Sequence, residues 1–156
     1  MTYHIRVRAG SFILQNDCIL LVEFNDQNGA HYNLPAGGVE PGESVKEAAK
    51  REAKEEASVD VEVGELAFVY EYAPHLSNSR YGQTPSLGMM FEASILHGVP
   101  SLSATPDANQ TDVKWIPLSQ LNEIVLYPNI KQHILEYVKQ KRPARLIEEH
   151  TLSTYN

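Results

Sequence analysis

Residues 44–57 read SVKEAAKREAKEEA, and no other segment constrains the fold as tightly. Ser44 and Glu47 have the S-x-x-E spacing of a capping box, in which each side chain satisfies a free backbone N–H of the first helical turn. With Val45 set at zero and about 100° per residue, Ala48, Ala49 and Ala53 fall at about −60°, +40° and +80°. They define the stripe that must face a core. Lys46, Lys50 and Lys54 fall at about 100°, 140° and 180°, on the solvent side. Glu52 and Glu56 fall at about −20° and +20°, in the middle of the apolar stripe, with Glu55 beside it at about −80°. An unpaired buried carboxylate costs several kcal/mol, and two close together repel. Arg51 lies at about −120°, nearest to Glu55, and one arginine does not neutralise three acids. A divalent cation does, and an all-oxygen donor set suits Mg²⁺ or Mn²⁺ better than zinc. Taken alone, the helix can equally be read as a solvated Glu/Lys helix with alanine on both faces.

The preceding residues decide between the two. Positions 35–43, PAGGVEPGE, hold two prolines and three glycines, which predicts a loop of special backbone geometry. It feeds directly into the helix N-terminus, where free N–H groups and the positive end of the dipole favour anions. A glycine-rich loop, a helix start and three acids within 22 residues predict a site for a phosphate-bound metal.

The rest of the chain predicts one mixed α+β domain. Residues 5–14 and 18–24 read as strands joined at Asn16-Asp17, a hairpin. Residues 31–34 read as extended, 59–72 as a strand broken near Gly64, 86–96 and 113–117 as strands, 118–124 as a short helix and 129–141 as an amphipathic helix. Residues 73–85 and 98–111 read as loops. The domain is expected over 1–142, with 143–156 as a C-terminal tail or an interface arm. The chain has 156 residues, with 13 Lys+Arg against 20 Asp+Glu and a net charge of −7. That balance argues against a nucleic-acid polymer or an anionic membrane as partner, but not against a small anion bridged by a cation. The single cysteine, Cys18, excludes a disulfide framework and reads as a buried structural thiol. No signal pattern or membrane-length apolar run is present, so the expected location is the cytoplasm.

Together these residues resemble the Nudix hydrolases, whose signature is G-x5-E-x7-R-E-U-x-E-E-x-G-U with U a bulky aliphatic residue. Here it reads Gly37, Glu43, Arg51-Glu52, Ala53, Lys54, Glu55-Glu56, Ala57, Ser58, Val59. All five charged positions match, and the flanking hairpin and the WIPL segment, Trp115 to Leu118, look like the same fold. Three positions depart from the pattern: Ser58 replaces the last glycine, Ala53 replaces the aliphatic residue, and Gln110 stands where many relatives carry an acid. The resemblance implies a mixed sheet sandwiched between helices and Mg²⁺- or Mn²⁺-dependent hydrolysis of a nucleoside diphosphate linked to another moiety. It implies Glu52, Glu55 and Glu56 as metal ligands, with the Ala36 carbonyl completing the sphere. Gly37, Gly38 and the Glu43–Arg51 pair would hold the loop against the helix. Glu52 or Glu55 would take the proton of the attacking water, with Glu71, Glu92 and Asp107 as outside candidates.

Leu34-Pro35-Ala36-Gly37 and Pro74, 15 residues after Val59, resemble the ADP-ribose pyrophosphatase branch. Arg80 and Tyr81 are the candidate substrate-binding residues in the 73–85 loop, for phosphate contact and base stacking. Tyr3, Phe24 and Tyr32 are candidates for lining a base pocket. The alternatives are a nucleoside triphosphate sanitiser of the MutT type and a regulatory module that binds nucleotide without turnover. A homodimer is a further expectation from the family.

Overall fold

The computed structural model describes residues 4–141 and 145–153. The chain begins with β1 (Arg6–Gln15) and β2 (Cys18–Asp26). They join at Asn16-Asp17, where both residues have positive φ, 51° and 59°. This is the turn chirality that matches strand twist in a two-residue hairpin. β3 (Gly29–Asn33), β4 (Ala36–Gly38), α1 (Val45–Ala57) and β5 (Asp60–Tyr72) follow. Next come β6 (Ser86–His97), β7 (Gln110–Pro117), α2 (Lys131–Gln140) and β8 (Arg145–Glu148).

Among the described residues these strands form one mixed sheet in the order β3-β2-β1-β6-β5-β8, with β4 on β1 and β7 on β2. β1 pairs with β6, and β5 with β8, in parallel, whereas β5 and β6 run antiparallel. Successive side chains of β1 point to opposite faces, and the core divides accordingly. Ala9 packs with Ala48, Ala49 and Phe91 on the α1 side, and Ile13 with Ala53 and Ala57. Phe12 packs with Phe68, Ile134 and Tyr137 on the α2 side, and its ring meets both aromatic partners edge-on at 5.7 and 5.6 Å. The sheet is therefore the middle layer of an α/β/α sandwich.

Four expectations need correction. The 35–43 loop contains β4, a three-residue strand that aligns Ala9 with Gly37 and Gly10 with Ala36. Gly10 permits this approach: a Cβ there would sit 2.5 Å from the Ala36 Cβ and 2.7 Å from the Pro35 carbonyl. Residues 145–148 of the supposed tail form β8 and bury Ile147 beside β5. Cys18 is half-buried, not buried, because it opens β2 at the hairpin end. Near Gly64, β5 continues through a bulge in its pairing with β6 instead of breaking. Tyr3 lies outside the described residues.

Ser58 closes α1 in the left-handed region, φ 61° and ψ 30°, and its N–H donates to the Lys54 carbonyl. A non-glycine residue there is strained by about 1–2 kcal/mol. Ser58→Gly is expected to stabilise the protein by about 0.5–1 kcal/mol after the larger chain entropy of glycine is subtracted. Urea unfolding would show a higher midpoint at unchanged slope.

Candidate active site

The site is built where β4 is clamped onto α1. Arg51 makes the clamp. Its Nε and Nη2 donate to the two oxygens of Glu43 at 3.1 and 2.7 Å, and Nη2 also donates to the Gly38 carbonyl at 2.9 Å. Its Nη1 donates to Glu52 at 2.8 Å and to Glu55 at 3.2 Å. A bidentate guanidinium–carboxylate pair fixes direction as well as distance. Glu43 is further held by the Glu40 N–H at 2.8 Å, and the Ser44–Glu47 capping box sets where the helix starts. The pairing with Arg51 holds the Glu43 carboxyl below its ordinary value.

Glu52 and Glu56 are buried on α1, whereas Glu55 is exposed and turned toward Arg51. The helical angles of the three acids differ as the sequence predicts, but only two of them enter the inward stripe. The Glu52 carboxylate lies directly against Gly37, where any Cβ would collide with it. Gly37 and Gly38 are needed for this closeness and not for a special φ; within the loop, positive φ is confined to Gly42. The Ala36 backbone N–H favours the charged form of Glu56, and the Ala36 carbonyl accepts a long hydrogen bond from Arg8 at 3.5 Å.

Arg51 satisfies Glu52, but no salt bridge reaches Glu56 among the described residues. Burial, and then the neighbouring Glu52 charge, push the Glu56 carboxyl up to about 8. A carboxylate buried beside another, without its own cation, is a site whose charge is incomplete. The donors around it are all oxygens: two carboxylates, the nearby Glu55 and the Ala36 carbonyl. This set fits Mg²⁺ or Mn²⁺, and Mg²⁺ commonly takes one or two carboxylates and completes its sphere with water and substrate phosphate. Among the described residues, no three His, Cys, Asp or Glu side chains converge closely enough to enclose an ion by themselves.

The carboxylates open into a cleft of about 510 Å³ that is also lined by Phe24, Asn33, Arg6, Arg8 and Asp107. Of the outside base candidates, Asp107 is therefore at the site. Glu71 lines a different cavity, with Pro74 and His75, and Glu92 is paired with Lys141. Gln110 is buried and ties the Asp107 loop down. Its amide donates to the Glu56 carbonyl at 3.1 Å, and its Oε1 accepts the Asp107 N–H at 3.1 Å.

A second cleft, of about 530 Å³, shares Arg6, Arg8 and Asn33 with the first and adds Tyr70, Tyr72, Tyr81 and Tyr127. Tyr81 is brought there by its N–H, which donates to the Tyr72 hydroxyl at 2.9 Å. Arg80 is exposed and lines neither cleft. Phe24 stacks on His31 at the cleft wall, whereas the Tyr32 hydroxyl is committed to Glu23 at 2.6 Å. Sequence reasoning missed Arg6 and Arg8, whose signal was a pair of arginines two apart on a strand that is otherwise apolar.

Arg51→Lys removes the fork that holds Glu43, Gly38 and Glu52 together. We expect roughly a 10–100-fold loss in Mg²⁺ affinity, the usual effect of losing a residue that orients metal ligands. Calorimetric Mg²⁺ titration checks this, and unchanged affinity would show that the clamp does not set the site.

The chain was also compared with known proteins. The NUDIX domain model matches residues 4–138. The human 8-oxo-dGDP phosphatase NUDT18 is 30% identical over 128 residues, which cover 82% of this chain but only 36% of the human protein. The chain thus spans about a third of that relative's length. An RNA pyrophosphohydrolase of Campylobacter jejuni is 24% identical over 80% of this chain and 84% of its own. A NUDIX hydrolase structure from Nitrosomonas europaea superposes with a TM-score of 0.72 at 26% identity, covering 90% of this chain and 93% of that one. No helix among the described residues is long and apolar enough to cross a membrane. The domain match takes in every element from β1 into α2, including the clamp and both buried acids, and the chain belongs to the Nudix hydrolase family.

Proposed function

We propose that this protein is a Mg²⁺-dependent hydrolase of a small nucleoside diphosphate derivative, cleaving the pyrophosphate to a nucleoside monophosphate and a phosphorylated product. The observation that carries this reading is the pair of buried carboxylates, Glu52 and Glu56, in a cleft also lined by the β4 backbone and by Arg6, Arg8 and Arg51. Glu52 and Glu56, with Glu55 and the Ala36 carbonyl, would hold the metal. When bound, it would neutralise phosphate charge and lower the pKa of an attacking water. Arg51 keeps Glu52 and Glu55 oriented. Arg8, which lines the same cleft, offers positive charge to the phosphates. Asp107 or Glu55 would accept the water proton, since both carboxylates line the cleft.

The first substrate is ADP-ribose or a similar nucleotide sugar. Its support is the LPAG sequence, whose Ala36 and Gly37 lie in β4 with Gly37 directly against the Glu52 carboxylate; Pro74 lines a different cavity and adds none. The second reading is an oxidised nucleoside di- or triphosphate, favoured by the activity for which the human relative is named. A Mg²⁺-dependent panel of ADP-ribose, sugar nucleotides, 8-oxo-dGDP, 8-oxo-dGTP, NTPs and 5′-triphosphorylated RNA separates them. Preference for ADP-ribose supports the first reading and preference for the oxidised nucleotides the second. Preference for the RNA would overturn the exclusion of polymers, and nucleotide binding with no turnover would overturn the hydrolase reading itself.

A further inference from the structure

The β1–β6–β5 register places two rows of side chains across one face of the sheet. Arg8 aligns with Gly88, and Gly88 with Tyr70; Arg6 aligns with Ser86, and Ser86 with Tyr72. Residues two apart on a strand share a face, so each row runs from arginine, over a small residue, to tyrosine. Neighbouring strands are about 4.8 Å apart, so the arginine and tyrosine backbones stand about 10 Å apart, with Gly88 and Ser86 as the floor between them. A cationic wall, a low floor and an aromatic wall make a trench, and Tyr81 and Tyr127 extend its aromatic side.

The arginine wall is unusual. Arg6 and Arg8 are like charges side by side, and neither is in a salt bridge among the described residues. Arg8 makes one long bond to the Ala36 carbonyl, and its buried Nε has no partner. Asn33, which lines the same junction, has a buried Oδ1 without a partner. Two guanidinium groups without a salt bridge among the described residues, one of them with an unused N–H, meet where the trench joins the carboxylate cleft. An oxyanion is what this arrangement lacks.

We propose that the trench is a nucleoside-monophosphate site, in which Arg6 and Arg8 hold the phosphate nearest the nucleoside and Tyr81 and Tyr127 carry the base, with the buried Tyr72 supporting Tyr81 from below. This extends the hydrolase reading by naming the side chains that orient the substrate. The trench directs the remainder of the substrate toward Glu52 and Glu56, because Arg6 and Arg8 line both clefts. The tyrosines give stacking without a hydrogen-bond code, so affinity comes from the phosphate and from any π-face.

The test is binding without metal or turnover, which keeps it separate from the hydrolase reading. AMP, GMP, adenosine and inorganic phosphate are titrated calorimetrically in EDTA against wild type, Arg6→Gln, Arg8→Gln and Tyr81→Leu. Both arginine variants are expected to weaken AMP and GMP at least ~10-fold while leaving adenosine unchanged. Tyr81→Leu is expected to weaken AMP and adenosine about 5–10-fold and leave phosphate unchanged. Arg6 is exposed, so its variant remains informative if Arg8→Gln does not fold. Wild type that binds neither nucleotide at millimolar concentration, or arginine variants with wild-type AMP affinity, would overturn the proposal. A protein that binds AMP in this pattern yet hydrolyses nothing would overturn the hydrolase reading and leave the trench standing.

Discussion

Glu56→Gln is expected to cut Mg²⁺-dependent hydrolysis at least ~100-fold, the scale of losing a key electrostatic group, with no loss of stability in the metal-free protein at neutral pH. The asymmetry follows from burial. Glu56 sits in the inward stripe of α1 beside Glu52, with no salt bridge among the described residues, and its carboxyl is pushed up to about 8. Near pH 7, without metal, it is largely protonated, and glutamine has nearly the same shape and charge. What glutamine lacks is the anion that a metal would call for.

The same carboxyl sets a pH dependence of defined sign. Its folded pKa of about 8 lies above the ordinary glutamate value of about 4.3 in the unfolded chain. Between these values the folded state keeps a proton that the unfolded state has released. Stability of the metal-free protein therefore falls as pH rises from about 5 to about 8, and the contribution is flat below that window and again above it. Thermal melts in EDTA at pH 5, 6, 7 and 8 should show this slope in wild type and a shallower one in Glu56→Gln. Added Mg²⁺ should raise wild-type Tm most at the alkaline end, where no proton competes for the site. Parallel pH profiles for the two proteins, or equal turnover, would refute the assignment of Glu56.

How much of this was legible in the sequence depends on the range of the interaction that decides each element. The capping box and the angular placement of Glu52 and Glu56 are local, and both are found as the residues predict. Glu55 shows the limit of such reasoning. Its angle is inward-leaning, but a partner four residues back, Arg51, draws its carboxylate outward, and a helical wheel carries no side-chain partners. β4 was unreadable because Ala36-Gly37-Gly38 has no strand propensity. It pairs only because β1 offers an edge and Gly10 leaves room. β8 depends on register against β5, a partner 77 positions away for each paired residue. Asp107, Glu71 and Glu92 were equivalent as acids in a string of letters. Topology separates them, because Gln110 bonds both the end of α1 and the Asp107 loop. The ADP-ribose motif is a different matter: half of it, Ala36, lies in β4 at the site, while Pro74 opens a short 3-10 turn after β5.

Gly37→Ala is expected to abolish most activity, by at least ~100-fold, while leaving the fold within about 1 kcal/mol of wild type. Gly37 is in extended backbone, so alanine meets no φ penalty there. The new Cβ meets only the carboxylate of Glu52 among its three nearest atoms. That group is the flexible end of a long side chain. It can swing aside without moving β4 off β1 or α1 off the sheet, so the clash is relieved at little loss of packing. Relief removes Glu52 from its place against Gly37 and beside Glu56, and also disturbs its 2.8 Å bond to Arg51. A displacement of about 1 Å in a positioned catalytic group is enough for a hundredfold loss. The expected signature is thus weak Mg²⁺ binding and low kcat with a near-native melting curve. A variant that unfolds would show that the backbone bears the clash. One that retains wild-type kcat would show that Glu52 need not stand against β4 for the chemistry to run.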